Sequence, residues 1–288
     1  MTIKFENISY AYDGNLPQKR HVLKNIDLEI RDGEFVGIIG PTGSGKTTLL
    51  QHFTGLLQPA SGKIFVNGED IWSKKYPLNE LRKKIGLVFQ FPESQLFEET
   101  VAEDVAFGPK SLGLSEQEIE QRVQQALEMV GLVGEEINNR SPHQLSEGEK
   151  RRVAIAGVLA MAPEVLILDE PTACLDPSGI KSIMKILRHL HKDGTTIVMI
   201  THNMDVITQL AERIIILNLG MKYFDGAISE IYTDEHIFND IDLEIPRIVR
   251  LSRYLAAQGL IDTKNIGTLD ELKGKIKQLQ SLTDVCSG

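Results

Sequence analysis

The chain has 288 residues, 42% hydrophobic and 25% charged, an ordinary globular composition with room for one large domain and an appendage. A net charge of -9 and a pI near 5.4 exclude a chain built to clamp a nucleic-acid backbone, which needs clustered Lys and Arg to displace counterions; a nucleotide can still be bound locally. Two cysteines, Cys174 and Cys286, are too few for a disulfide framework, and Met1-Thr2-Ile3-Lys4 lacks the apolar core of a signal peptide, so a reduced, intracellular setting is expected.

In chain order, Ile3 to Ile8, Leu28 to Ile30 and Val36 to Ile39 read as short strands separated by turn signals at Asp13-Gly14 and Asp32-Gly33. A helix follows Gly45 and ends near Gly55; then come a strand at Ile64 to Val66, a turn at Asn67-Gly68 and an apolar strand from Ile85 to Phe89. Ser115 and Glu118 form a capping box for a helix whose Ile119, Val123, Ala126, Leu127 and Val130 share one face and which Gly131 closes. Another helix starts near Ser146 and runs on through Ala162. Val165 to Leu168, Ile197 to Ile200 and Ile214 to Leu217 are continuous apolar runs, the pattern of strands buried on both faces of a mostly parallel sheet. From about Leu243 the strand signals stop. Two helices are expected there, one from near Asp242 to Ala257 and one capped by Thr268 with Glu271 and carrying Leu269, Leu272, Ile276 and Leu279. The fold class is therefore α/β with a small helical C-terminal domain. No stretch approaches the roughly 18 consecutive apolar residues of a spanning helix, so any membrane work requires another chain.

Gly40-Pro41-Thr42-Gly43-Ser44-Gly45-Lys46-Thr47 fits G-x-x-x-x-G-K-[ST] and sits where the chemistry requires, after an apolar strand and before a helix. The glycines let backbone N–H groups turn toward phosphate oxygens and the helix N-terminus adds partial positive charge. Lys46 is placed to reach the terminal phosphates and Thr47 to ligate Mg²⁺. ATP or GTP binding follows.

Asp169 and Glu170 end the strand that begins at Val165, at the edge where open α/β sheets bind ligands. Asp169 is placed to hold Mg²⁺, and Glu170 to orient and polarise the water that attacks the γ-phosphate. His202 and Gln90 end two further strands. The first would bring a second polar group to the γ-phosphate edge, and the second a neutral amide that senses the metal or the water. Leu145-Ser146-Glu147-Gly148-Glu149 places a hydroxyl and a glycine N–H at a helix start, a second anion site. One chain has no second phosphate for it, so a dimer is implied in which this helix faces the partner's ATP.

In this order the motifs resemble the ABC ATPase family from Met1 to about Asp240. Phe89-Gln90-Phe91-Pro92-Glu93-Ser94-Gln95 through Val101, followed by Asp104-Val105-Ala106-Phe107-Gly108-Pro109, is similar to the cobalt and vitamin importers of the energy-coupling factor class. The helical ending from Leu243 is similar to that class too, and the insertion Gly14 to His21 before Val22 resembles the second of the two ATPases in those complexes. The resemblance implies a P-loop NTPase with a mostly parallel core sheet, an antiparallel β subdomain and a helical subdomain at about 92–160. It divides the chain into an ATPase domain, 1–240, and a helical domain, 241–288, that serves dimerisation. It also implies a nucleotide site made of residues 40 to 47 with Thr48, an aromatic on adenine at Tyr12 or else Tyr10, and Asp176 linking the two sites of a dimer. ATP and Mg²⁺ are the implied cofactors. The implied partners are a second, related ATPase, a transmembrane coupling protein gripped by the residues after Gln90 and a substrate-binding membrane protein, with no nucleic acid, all at the cytoplasmic face of the cell membrane.

Two positions depart from that pattern. The family usually reads L-S-G-G-Q, whereas Glu147 and Glu149 replace the first glycine and the glutamine. A carboxylate about 6 Å from a phosphate charge, at an effective dielectric near 20, would cost roughly 3 kcal/mol. Alternatively Glu147 turns outward and pairs with Lys150 or Arg151. Because Ser146 and Gly148 are retained, the site formed with the partner's phosphate loop is expected to be weakened but not abolished. Cys174 stands where the family often has Gly and is expected to be a small buried thiol. The rival functions are a soluble ABC ATPase acting on nucleic acids or ribosomes, an importer ATPase with a β-rich C-terminal domain, and a subunit that binds ATP without hydrolysing it.

Overall fold

A computed structural model describes residues 1–12, 20–233, 241, 243–261, 266–267 and 269–286. The strands are β1 (Ile3–Tyr12), β2 (Arg20–Ile30), β3 (Phe35–Ile39), β4 (Ser61–Val66), β5 (Glu69–Asp70), β6 (Ile85–Val88), β7 (Val165–Asp169), β8 (Thr196–Ile200), β9 (Arg213–Asn218) and β10 (Met221–Ala227). The helices are α1 (Lys46–Phe53), α2 (Leu78–Lys84), α3 (Val101–Ser111), α4 (Glu116–Met129), α5 (Glu135–Asn138), α6 (Glu147–Leu159), α7 (Pro177–Lys192), α8 (Met204–Ile207), α9 (Ile228–Thr233), α10 (Arg247–Ala257) and α11 (Leu269–Cys286). Short 3₁₀ turns cover Pro92–Gln95 and Pro142–Gln144.

The central sheet has the order β10-β9-β3-β8-β7-β6, parallel from β9 to β6 with β10 antiparallel at one edge. A second, antiparallel sheet has the order β2-β1-β4-β5. Successive side chains of a strand point to opposite faces, so the apolar runs split between two cores. Ile39, Leu166, Leu168, Ile197, Met199 and Ile216 pack with α6 and α7 on one face. Val36, Ile38, Val165, Ile167, Val198 and Leu217 pack with Leu49, Leu50 and Phe53 and with the antiparallel sheet on the other. Burying each such aliphatic side chain contributes about 1.5–3 kcal/mol, which is why the interiors of these strands are apolar, with polar residues such as Thr196, Arg213, Asp169 and Asn218 only at their ends.

Several expected elements differ in extent. β1 and β2 are longer than the apolar stretches suggest, because their exposed halves alternate with polar residues. The turn signal at Asp13-Gly14 and most of the insertion Gly14 to His21 lie outside the described residues. α6 stops at Leu159, short of Ala162, which adopts a left-handed φ of 53° that no helix continues through. α10 begins at Arg247 rather than near 242, because Pro246 cannot donate to a preceding turn; Leu243 and Ile245 pack instead against the main core. Asp242 and the Thr268 cap lie outside the described residues. On α11, Leu272 is buried beside Ile261 and Ile266, but Leu269 and Ile276 are exposed. Cys174 is exposed rather than buried, and its φ of 59° explains why a glycine suits that position.

Candidate nucleotide-binding and hydrolysis site

Four neighbouring strands, β3, β8, β7 and β6, deliver their last residues to one edge of the sheet. The loop from Gly40 to Thr47 leaves β3, His202 follows β8, Asp169 and Glu170 end β7, and Gln90 follows β6. Gly40 has φ 151°, and a Cβ there would lie 2.1 Å from the Leu217 carbonyl, so only glycine allows the chain to turn. Inside the loop Lys46 Nζ donates to the Gly40 and Pro41 carbonyls at 2.8 and 2.9 Å. Ser44 Oγ is buried and has no hydrogen-bond partner among the described residues. An orphaned hydroxyl inside a glycine-rich loop that opens a helix fits a phosphate oxygen.

Burial pushes the Lys46 ammonium below its ordinary pKa, against the pull of Glu170 and Asp169. Burial also pushes Asp169 above the usual carboxylate range, with the Glu170 charge adding to it and Lys46 and Thr47 opposing. Thr47 Oγ1 lies 3.5 Å from Asp169 Oδ2. Such an arrangement favours charge brought in from outside: an anion relieves the ammonium, and a cation relieves the carboxylate pair. The Thr47 and Asp169 oxygens suit two positions of a Mg²⁺ octahedron, which takes its other ligands from water and phosphate.

Glu170 is strained and fully engaged. Its φ is 49°, in the left-handed region, and its N–H donates to the Ile200 carbonyl at 2.8 Å. One carboxylate oxygen accepts from Thr201 Oγ1 at 3.1 Å. The other accepts from the His202 N–H at 2.9 Å and lies 2.7 Å from His202 Nδ1. The histidine thus holds the carboxylate, and only its Nε2 is available to a phosphate. Gln90 is exposed at the neighbouring strand end.

A cleft of about 550 Å³ runs from the loop past Thr48 to Tyr12. Tyr12 is half exposed, and its hydroxyl lies 3.2 Å from Thr48 Oγ1 and donates to Gln51 at 3.3 Å. Tyr10 is stacked edge-on between Tyr12 and the buried His52, which leaves Tyr12 as the ring facing the cleft. Val22, Lys24, Leu219 and Gly220 form the other wall. Sequence reasoning misses all four: Leu219 and Gly220 are placed by β9 lying next to β3, and Val22 and Lys24 by β2 of the other sheet meeting that turn; the Asn218-Leu219-Gly220 turn at a strand end is the one local signal. Gly220 ties the wall together, donating to the Ser44 carbonyl and accepting from Lys24 N–H.

Ser146 and Gly148 begin α6. No hydrogen bond or ion pair joins them to residues 40–48 among the described residues. Ser146 caps the helix in a reciprocal box with Glu149, its Oγ donating to Glu149 Oε2 at 2.7 Å. Glu147 is largely exposed and pairs with Lys150 at 2.8 Å. Of the two readings of this position, the outward one is the one observed. Arg151 is not its partner but is buried in another direction. Asp176 caps α7 by accepting from Gly179 N–H at 2.8 Å.

A phosphate loop after the central strand β3, a buried aspartate at the end of β7 within reach of its threonine and a positioned glutamate directly after that aspartate define a P-loop ATPase. Residues 23–173 match the family model described as ABC transporter. The chain is 48% identical over 97% of its length to the energy-coupling factor transporter ATP-binding protein EcfA2 of Clostridium perfringens (98% of that protein). It is 46% identical over 99% of its length to the EcfA2 of Clostridioides difficile (100% of that protein). Among solved structures it resembles cbiO1 of Clostridium perfringens, part of the ABC transporter complex cbiONQ, at TM-score 0.73 and 40% identity, covering 86% of this chain and 97% of that one. A dimeric cassette MJ0796 bound to ADP and Pi matches at TM-score 0.69 and 33% identity, covering 78% and 98%. The chain belongs to the ABC transporter family, among the ATP-binding proteins of energy-coupling factor transporters. It is an ATPase, and no helix among its described residues is long and apolar enough to cross a membrane.

Proposed function

We propose that this chain is the ATP-hydrolysing subunit of an importer for vitamins or other micronutrients, working at the cytoplasmic face of the membrane beneath a transmembrane coupling protein and a separate substrate-binding membrane protein. The observation that carries the reading is a set of exposed aromatics on the segments that follow Gln90. Phe97 and Phe107 stack edge to face at 5.0 Å while remaining 61% and 51% exposed, and Phe91, next to Gln90, is also exposed. Exposed aromatics grouped in this way mark an interaction surface. The EcfA2 proteins are transporter ATP-binding proteins, cbiO1 is part of an ABC transporter complex and MJ0796 is a bacterial ABC transporter cassette, which favours this reading over action on nucleic acid.

Residues 40 to 48 grip the phosphates, with Lys46 freed from the Gly40 and Pro41 carbonyls to bond the terminal oxygens, and Tyr12 covers the base. Thr47 and Asp169 would hold Mg²⁺, with Gln90 near it; the ion's chemistry is to neutralise charge developing on the phosphate oxygens. Glu170 accepts the proton of the attacking water, and His202 keeps its carboxylate aimed. Ser146 and Gly148 close over the ATP of a second, related ATPase, and Asp176 lies at the seam between the sites. Residues 1–240 form the ATPase domain, with the helices at about 92–160 as its docking part. The helices of 241–288, with Leu251, Tyr254 and Leu269 exposed, serve dimerisation.

Purification of the chain from membranes in mild detergent is expected to bring along a second ATPase and an integral membrane protein. Recovery with ribosomes or DNA instead would overturn the reading. Because Glu147 points outward, Glu147→Gly is expected to change the ATPase rate of that complex by less than about threefold, the scale of an exposed ion pair. A tenfold rise would show that the carboxylate turns toward the partner's phosphate.

A further inference from the structure

Among the described residues one arginine is buried, and its partners lie in the segments that follow Gln90 and Glu170. Arg151, on α6 one turn beyond the Ser146 cap, is 1% exposed. Its Nε and Nη2 donate to both carboxylate oxygens of Glu93, at 2.9 to 3.1 Å, in the planar fork-to-fork geometry that only a guanidinium provides. Its Nη1 turns the other way and donates to the Pro171 and Ala173 carbonyls, at 3.2 and 2.6 Å. Glu93 belongs to the turn Pro92–Gln95, which follows Gln90 and the left-handed Phe91. Pro171 and Ala173 directly follow Glu170 and lead through Cys174 to Asp176.

We propose that Arg151 is a positioning residue that mechanically couples the segment after Gln90 to the segment after Glu170, so that docking on the first sets the geometry of the second. The inference rests on the reading that a membrane protein docks beside Gln90, and adds the element that carries its effect inward. Three features support it. The charge is buried, so its cost is offset only while every partner stays in place, and neither segment moves without dragging the other. The contacts on the 171–173 side are to backbone carbonyls, so they act on the path of the chain rather than on one side chain. That path is already strained, with left-handed φ at Glu170 and Cys174, and a strained loop is held by its surroundings rather than by its own preference. Lysine cannot replace the fork, because a single ammonium reaches Glu93 or the Ala173 carbonyl but does not chelate the first while bonding the second.

The test compares Arg151→Lys and Glu93→Gln with the unaltered chain, each assembled with its ATPase partner, with and without the membrane proteins purified alongside it. Two readouts are followed: binding of a fluorescent ATP analogue, and hydrogen exchange of the amides at 172–176. In the unaltered complex, addition of the membrane proteins is expected to slow exchange at 172–176 at least fivefold and to raise ATP turnover. In both variants ATP affinity is expected to stay within about twofold, while the exchange response falls below twofold and turnover no longer responds. Retention of the unaltered exchange response in either variant overturns the proposal. Loss of ATP binding in both would overturn it too, by showing that the arginine serves only to hold the fold. If the unaltered complex itself shows no response to the membrane proteins, the docking reading has failed, and the inference falls with it.

Discussion

Glu170→Gln is expected to lower ATP turnover about 10³-fold while ATP affinity stays within about twofold, the scale lost with a general base. The substitution is nearly isosteric. Its amide oxygen can accept from the His202 N–H as Glu170 Oε1 does at 2.9 Å, and its NH₂ can face Thr201 Oγ1, which is able to accept as well as donate. The left-handed backbone at this position and its bond to the Ile200 carbonyl do not depend on the side-chain charge. What disappears is the basicity toward water and the negative charge beside Asp169. Nucleotide is therefore expected to be trapped, and closed pairs of ATPase subunits to accumulate. Phosphate release and analogue binding, measured on the same preparation, separate the two effects. Turnover within tenfold of the unaltered protein would remove Glu170 from the proton-accepting role.

Lys46→Met is expected to weaken ATP binding about 100-fold while changing folding stability by less than about 1 kcal/mol. Charged hydrogen bonds to phosphate are worth about 1.5–3 kcal/mol each, and each 1.4 kcal/mol is a decade of affinity. The stability side follows from the direction of the Lys46 shift. Burial makes the ammonium costly in the loop, and its bonds to the Gly40 and Pro41 carbonyls offset only part of that cost. Methionine keeps most of the apolar stem without the charge. Isothermal titration and thermal unfolding check the two halves independently. A fall in melting temperature that matches the loss of binding would mean that Lys46 builds the loop rather than reading the phosphate.

Much of the site was legible in the sequence because its parts are local. The G-x-x-x-x-G-K-[ST] pattern needs only its own glycines, a strand before it and a helix after it, and all three are found. The apolar runs ending in Asp169-Glu170 and in Thr201-His202 announce buried strands whose first polar residues must emerge at an edge. The capping box at Ser115 and Glu118 was equally plain, as was the end of α4 at Gly131. The same local logic explains the failures. Expecting α6 to reach Ala162 followed helix propensity, which the left-handed turn at that residue overrides. Expecting Cys174 to be buried followed residue type, whereas the chain after Glu170 stays buried through Thr172 and reaches the surface at Cys174.

By itself, then, the sequence determined which chemistry this protein carries: a phosphate loop, two carboxylates with separate positions, a helix-start anion site and the α/β pattern that presents them. Tertiary structure alone decided which of these groups meet. The order β9-β3-β8-β7-β6 sets Leu219 and Gly220 against the phosphate loop and His202 against Glu170, and no local pattern encodes which strands are neighbours. Burial likewise separates three adjacent residues of one helix, sending Lys150 outward to Glu147, Arg151 inward to Glu93 and the Ala173 carbonyl, and Arg152 to the carbonyls that end α4. The reason is physical: backbone geometry and hydrophobic period act over a few residues, whereas the desolvation that selects a partner for a charge depends on everything packed around it.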